Sequence, residues 1–404
     1  MSVEVAIVGA GPYGLSLAAH LAARGVDFRV FGKPMESWRA HMPHDMLLKS
    51  DGFASNLSAP DPKSTLRAFS ETHGLPYSDQ RLPTSLSQFI AYADWFQKRY
   101  VPMLEDVLVT GVSKAGDLYR LQLESGETLE AKHMVLAVGI TWFASMPETL
   151  AKLPAWACSH TFAHREGFPF KGQDVAVIGA GASSINAAAL FHDNGARVTV
   201  FARDSVIDFH NPPDVVEPSL LERIQRPSSP LGPGWRSFMC TRAPLLFHAL
   251  PERLRLRATK RHLGPAPGWF MRDRAVGKFP MLTNHHLEDA RTSGASVILS
   301  MRRDGGIFEQ EFDHVVAGTG FRSDLSRLTF VEESLRSSLD AVEGTPILSE
   351  NFETSSRGLY VVGPLAANAF GPYMRFMAGA EFAAPRLSAH LARKIGAKTV
   401  RQAA

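Results

Sequence analysis

Val3-Glu4-Val5-Ala6-Ile7-Val8-Gly9-Ala10-Gly11-Pro12-Tyr13-Gly14 is an apolar run that breaks into three closely spaced glycines. A continuous apolar run of this length suits a parallel strand buried on both faces, and the glycines follow it without a gap. A helix pattern then extends from Leu15 to Ala23, stops at Gly25, and gives way to a second strand, Phe28 to Phe31. Strand, turn, helix, strand is the setting in which a GxGxxG spacing carries chemistry. Gly9 permits a tight bend, Gly11 lets the backbone approach a pyrophosphate, and Gly14 lets helix and strand pack closely. Pro12 and Tyr13 complete the loop, and the phosphates would sit at the positive end of the helix.

The same order returns from Asp174. Strand Val175 to Ile178 meets Gly179-Ala180-Gly181-Ala182-Ser183-Ser184, then helix Ile185 to Asp193, Gly195, and strand Arg197 to Phe201. A small residue at the third glycine position still permits close packing. Two such units, about half a chain apart, indicate two separate nucleotide domains and not a solenoid of short repeats. After the second unit comes Arg203, where a cation suits the additional 2′-phosphate of NADP(H); a lone surface arginine is the alternative. After the first unit, where an acid usually binds ribose, stand Gly32 and Lys33, with Glu36 as the nearest replacement acceptor.

Three further segments complete the pattern. Leu108 to Val138 reads as a β meander running into Gly139, and Ser296 to Phe312 reads as a hairpin around Asp304-Gly305-Gly306, before His314 to Ala317 and Gly318-Thr319-Gly320. Gly358 to Val362 is another buried strand ending at Gly363. Each is an apolar strand meeting a small residue, where a backbone can approach a ligand closely. Two stretches, Lys33 to Pro102 and Arg203 to Pro280, are irregular and read as cover for substrate and cofactor, the first closing with a helix near Leu86 to Tyr100.

At 404 residues the chain exceeds what one core usually serves. A net charge of +3 is too weak an imbalance to argue for nucleic acid. Cys158 and Cys240 stand far apart without a CxxC, which removes the thiol relay of a disulfide reductase, and no metal-ligand spacing occurs. Without an export signal or a membrane-length apolar window, the expectation is a cytoplasmic protein with no membrane partner. Whether it forms a homo-oligomer is open.

With two GxGxx(G/S) units, Ala317-Gly318-Thr319-Gly320-Phe321 late in the chain and a terminal strand ending in Gly363, the sequence resembles the two-dinucleotide-binding flavoproteins. Within them it is most similar to the flavin-containing monooxygenases and the N-hydroxylating (lysine or ornithine) monooxygenases. Phe89, Tyr92, Ala93 and Phe96 are spaced like the helix preceding the meander in that group, and Ser159-His160 resembles its histidine before the NADPH turn. The group's FxGxxxHxxx(W/P) is partly kept: Pro154 and Trp156 replace its Phe and Gly, and His164 its final Trp or Pro.

The resemblance implies an α/β fold of two Rossmann-like dinucleotide-binding domains, each with a parallel sheet and a small β meander. The NADPH domain (166–312) would be inserted into the FAD domain (1–165 and 313–404). It places Asn56 beside the flavin, where its amide could donate to a flavin hydroperoxide, the alternative being a turn-capping asparagine. Trp38 would pack on FAD or serve as core; His160 would orient the second cofactor or be a structural histidine. Ala366 to Pro372, with Asn368 and Gly371, would lie against the isoalloxazine, followed by a helix from about Met374. His210-Asn211-Pro212 reads as a ligand loop or a turn, and Arg253, Arg255, Arg257, Lys260 and Arg261 as a solvated basic helix face.

The activity so implied takes small-molecule substrate and O2. NADPH reduces FAD, O2 forms a C4a-(hydro)peroxide, and one oxygen passes to a nucleophilic nitrogen or sulfur or to a ketone. An NAD(P)H-dependent flavin dehydrogenase or electron-transfer reductase, and a non-catalytic redox sensor, remain as alternatives. If Arg203 holds the 2′-phosphate, Arg203→Ala weakens NADPH far more than NADH in steady-state kinetics; an equal loss for both refutes the assignment.

Overall fold

The computed structural model describes residues 2–212, 219–262, 264 and 266–396. Strand β1 (Ser2–Val8) runs into helix α1 (Pro12–Ala22), which starts at Pro12 and not at Leu15 because a proline at the first helical position has no N–H to leave unpaired. The chain continues through β2 (Phe28–Phe31), α2 (Glu36–Ala40), α3 (Leu66–His73) and α4 (Leu86–Tyr100). The meander follows as β3 (Val109–Ala115), β4 (Leu118–Leu123) and β5 (Thr128–Leu136).

β5 joins two architectures. One edge lies parallel to β1 from Ser2↔Glu130 to Val8↔Leu136. Its other edge pairs antiparallel with β4 up to Ala131, then parallel with a late strand over Met134–Leu136. A single strand thus belongs to the meander at its start and to the parallel sheet at its end.

The second sheet comprises β6 (Cys158–His160), β7 (Asp174–Ile178), β8 (Arg197–Phe201), β9 (Met281–Leu282) and β13 (His314–Ala317), all parallel, in the order β6-β13-β7-β8-β9. Between β7 and β8 lies α5 (Ala182–Asp193). After β8 come α6 (Leu220–Gln225), α7 (Trp235–Arg242), α8 (Pro244–His248) and α9 (Glu252–Arg261). The predicted hairpin is the larger part of a three-stranded antiparallel sheet of β10 (His286–Ser293), β11 (Ser296–Arg303) and β12 (Gly306–Phe312). Alternate residues of β7 enter separate cores. Val175 and Val177 pack with Ile185 and Ala188 of α5, whereas Ala176 and Ile178 pack with Leu299 and Phe312 of the antiparallel sheet. Burial on both faces is why this strand reads as uninterruptedly apolar.

The chain returns to the first sheet as β14 (Leu359–Val361), then forms α10 (Ala367–Phe370) and α11 (Ala380–Ile395). The second sheet therefore draws on residues 158–317, wider on both sides than the expected 166–312, because β6 and β13 pair with it. The helix expected from about Met374 begins at Ala380 instead; Pro372–Arg375 is a short 3₁₀ turn whose backbone carbonyls are used elsewhere. Pro213 to Pro218, Leu263 and Pro265 of the second irregular stretch, and 397–404 of the last predicted segment, lie outside the described residues. No described helix is long and apolar enough to cross a membrane.

A half-buried polar chain links β6 to β13. His314 Nδ1 contacts Trp156 O at 2.8 Å, while Ser159 Oγ lies 2.7 Å from His314 Nε2 and 2.6 Å from His164 Nε2. The carbonyl requires His314 to carry its proton on Nδ1, so Ser159 donates to His314 and His164 donates to Ser159. Both rings are neutral in this arrangement. Burial, then the neighbouring His314 and His160, push His164 down to about 4, and burial with Arg24 pushes His20 down to about 4. Free histidine titrates near 6.5, so the unfolded chain binds more protons between about pH 4 and 6.5 and stability falls as pH drops through that window. Urea unfolding should show a lower midpoint at pH 5 than at pH 7.5, and His20→Gln/His164→Gln should shrink the difference; an undiminished pH dependence in the variant overturns the assignment.

Candidate active site

The two glycine turns are built to one plan. Gly9 and Gly179 both hold φ at +119°. The Gly9 N–H donates to Phe31 O at 2.8 Å and the Gly179 N–H to Phe201 O at 2.9 Å, while Ala137 N–H reaches Val8 O and Gly318 N–H reaches Ile178 O, each at 2.8 Å. A Cβ on Gly9 would collide with Ala137 O, and one on Gly179 with Gly318 O. Gly11 and Gly181 stand at the N-caps of α1 and α5, with no side chain capping either helix. Space is open around Gly11, so the first N–H groups of α1 point where a phosphate can approach. Pro12 and Ala182 open the two helices, and Ser183 is exposed on the second.

The turns differ at the third glycine. A Cβ on Gly14 would overlap Gly9 O, so helix and strand touch through backbone alone, with Ala137 as neighbour. In the second turn Ser184 replaces that glycine and donates from Oγ to Gly318 O at 2.9 Å, and a Cβ on Gly318 would collide with Ser184 Oγ. The glycine has moved from the helix to the adjacent strand. Small-residue packing is preserved by exchanging which side is bare.

Tyr13 reaches the C-terminal turn. Its buried hydroxyl bonds to Met374 O at 3.0 Å and Phe376 O at 2.8 Å, and its ring lies beneath Gly363, which holds φ at +80°. This grip uses the carbonyls that a helix from Met374 would need. Gly371, at φ +95°, packs under Phe247 of α8, and Asn368 donates from Nδ2 to Thr345 Oγ1 at 2.9 Å. Phe370 stacks on His248 at 4.9 Å, Thr259 of α9 donates to Ala367 O at 3.2 Å, and Arg255 reaches Ala369 O at 3.5 Å. Helices α8 and α9 therefore cover the C-terminal turn, and one side of the basic helix expected to be solvated is a packing face.

Several side chains expected to meet a cofactor are engaged elsewhere. His160 accepts the Phe162 N–H at Nδ1 (3.1 Å) and contacts Gly320 O through Nε2 (3.0 Å), so neither ring nitrogen is left for a ligand. Trp38 packs on Phe89 at 4.7 Å and joins α2 to α4. The Thr319 hydroxyl donates to Ser145 O, and Ser145 N–H donates to Gly320 O at 2.9 Å. Asn56 donates to Phe53 O at 2.9 Å and accepts the Leu66 N–H at 2.8 Å, a capping role that leaves its second N–H. Lys33 is exposed and Glu36 half-buried in the turn after β2, which Met35 N–H ties to Ala10 O at 3.0 Å. Gly139 turns at φ +61° at the end of β5. Arg203 keeps 81% of its side-chain surface exposed, beyond the end of β8.

One group was not read from the sequence. Lys49 lines a small cleft with Asp51, Arg81, Trp269 and Phe270, and donates to Ala266 O at 3.1 Å. It is reached by solvent yet crowded by chain, and desolvation, followed by the Arg375 charge, holds its ammonium below the usual lysine range. Burial and Lys49 lower His210; burial, Arg236 and Arg375 lower His262, whose carbonyl accepts from Arg375 at 2.5 Å. These residues share no sequence spacing, and only the fold gathers them beside the C-terminal turn. Arg274 likewise bridges Asp45 and Asp193, at 2.6 Å each, joining the first irregular stretch to the end of α5.

Residues 6–230 match the family model described as pyridine nucleotide-disulphide oxidoreductase, and the chain belongs to that family. It is an oxidoreductase with the two-dinucleotide fold. Indole-3-pyruvate monooxygenase YUCCA1 of Oryza sativa subsp. japonica is 27% identical over 392 residues, covering 88% of this chain and 85% of the relative. Among solved structures, the ornithine N-hydroxylase KtzI of Kutzneria sp. 744, described with reduced FAD, NADP+ and L-ornithine, has a TM-score of 0.77 at 15% identity, covering 98% of this chain and all of that one. The bacillithiol disulfide reductase of Bacillus cereus has a TM-score of 0.63 at 20% identity with the same coverage.

The exchange at the third glycine is testable as a coupled pair. Gly318→Ala alone should disrupt the second turn, whereas Ser184→Gly alone should cost about 1 kcal/mol for the lost hydrogen bond. Ser184→Gly/Gly318→Ala should recover much of the stability and NADPH affinity lost in Gly318→Ala. Strict additivity in thermal melts and NADPH titration rules out the exchange.

Proposed function

We propose that the protein is a monooxygenase that holds FAD at Gly9–Gly14 and NADPH at Gly179–Ser184. It transfers one oxygen atom of O2 to a small acidic substrate, at a nucleophilic nitrogen or sulfur or at a ketone. The observation that carries this reading is the pair of uncapped helices α1 and α5, each opened by a glycine turn with the same bonds to its flanking strands. The rice relative is named a monooxygenase, and the Kutzneria neighbour is described with the same two cofactor types; both support the choice of ligands.

The chain's own groups divide the work. The first N–H groups of α1 and α5 bind pyrophosphates, Arg203 takes the 2′-phosphate, and the backbone around Gly363 and Gly371 approaches the flavin ring. When bound, FAD supplies the redox and oxygen-carrying chemistry. Helices α7 to α9 keep water from the C-terminal turn, which matters wherever an oxygen atom must reach substrate before water does. Lys49 and Arg81, which line the small cleft with Asp51, with Arg375 and His210 in the electrostatic surroundings of Lys49, favour a substrate carboxylate.

Dithiol chemistry, which the family's name covers, has no counterpart in the two cysteines. Cys158 and Cys240 are both buried and unpaired, and burial pushes the Cys158 thiol up to about 11, far from a nucleophilic thiolate.

Oxygen transfer requires that NADPH, a proton, O2 and substrate yield NADP+, oxygenated substrate and water. Incubation under ¹⁸O₂ with NADPH and a panel of amino, thioether and keto acids should place one label in product and the other in water. The acids should show a lower KM than their methyl esters. Hydrogen peroxide as the sole oxygen product across the panel, or electron delivery to quinones and dyes with no labelled product, overturns the proposal.

A further inference from the structure

Residues 219–261 hold eight arginines and one lysine against Glu222 and Glu252, a net +7 within a chain of +3 overall, so the remainder is net acidic. The same segment carries large apolar side chains on its outside. Leu220, Leu221, Ile224, Trp235, Leu246 and Leu254 are each more than half exposed. Helices α7 to α9 are held from the other side, where Ser237, Cys240 and Thr241 of α7, Phe247 of α8 and Thr259 of α9 are buried, whereas α6 buries none of its residues. Trp235 donates from its indole N–H to Ile224 O at 2.9 Å, fastening α6 to the start of α7. Arg226, Arg236, Arg253, Arg257 and Arg261 are exposed among the apolar residues.

We infer that this outer face docks on the surface of an anionic lipid membrane, with the leucines, isoleucine and tryptophan entering the headgroup and acyl boundary and the arginines meeting lipid phosphates. Exposed apolar residues on short helices, interleaved with cations and nearly free of acids, are the composition an interfacial element needs. A second copy of the chain fits less well, because a two-fold contact through this face would set one +7 segment against another. Nucleic acid would use the arginines but leave the exposed leucines and isoleucine in water. Because the inner sides of α8 and α9 cover the C-terminal turn, docking would set that cover at the bilayer surface while the helices stay in place.

Vesicle flotation of the full chain tests this, using phosphatidylcholine alone against phosphatidylcholine with a third phosphatidylserine. The protein should float with the anionic vesicles and not the neutral ones, and lose binding as salt rises from about 0.1 M to about 1 M, where screening shortens from about 10 Å to 3 Å. Leu220→Ser/Leu221→Ser/Ile224→Ser removes apolar contacts and Arg253→Glu/Arg257→Glu reverses charge. Each should lower partitioning by roughly tenfold or more with the melting temperature of the parent, and the charge variant keeps the test decisive if the first misfolds. Equal binding to both vesicle types, or binding to neither, overturns the inference. So does self-association that both variants abolish, or RNA binding without vesicle binding.

Discussion

Everything in the first sheet depends on an approach distance that admits no methyl group. Where α1 crosses β1, the site of a Gly14 Cβ is already occupied by Gly9 O, and the site of a Gly9 Cβ by Ala137 O. Helix, strand and neighbouring strand are therefore in backbone contact, and the open end of α1 is aimed along the strand ends. β5 must come this close to β1 while also carrying the meander on its other edge, which explains why it changes partners midway. The second sheet solves the same problem with a serine on the helix and a bare strand beside it.

Most of the scaffold was legible because it is local. The two glycine turns, the strands around them and the meander announce themselves through apolar runs ending in glycine, which is the pattern of strands buried on both faces. β6 and β13 pair with the second sheet from just outside the expected bounds 166–312, because strands of three and four residues carry no periodicity that would say which sheet they join. The candidate site was less legible. Tyr13 bonds to carbonyls more than 350 residues away, His160 to Gly320 and Trp38 to Phe89. No spacing in the sequence encodes those pairings, so residue type alone left the ligand and structural readings of His160 and Trp38 open. Lys49 was missed for the converse reason: the groups that act on it and on which it acts, Arg375 and His210, come from separate stretches.

The irregular segments are where the two sheets meet chemically. Arg274 holds Asp45 and Asp193 together, His41 stacks on Phe162 at 4.1 Å, and α8 and α9, threaded between strands of the second sheet, lie on the turn that closes the first. The lid over one nucleotide unit is thus encoded within the other.

The hydroxyl of Tyr13 has a mechanical consequence. It belongs to α1, the helix with no side-chain cap at its start, and it grips Met374 O and Phe376 O in the C-terminal turn. A buried phenol bound this way cannot let go at one end without leaving unpaired polar atoms at both, which costs roughly 1–3 kcal/mol for each. Opening of the C-terminal turn therefore carries the cost of breaking its bond to the first helix, which couples the stability of two elements at opposite ends of the chain.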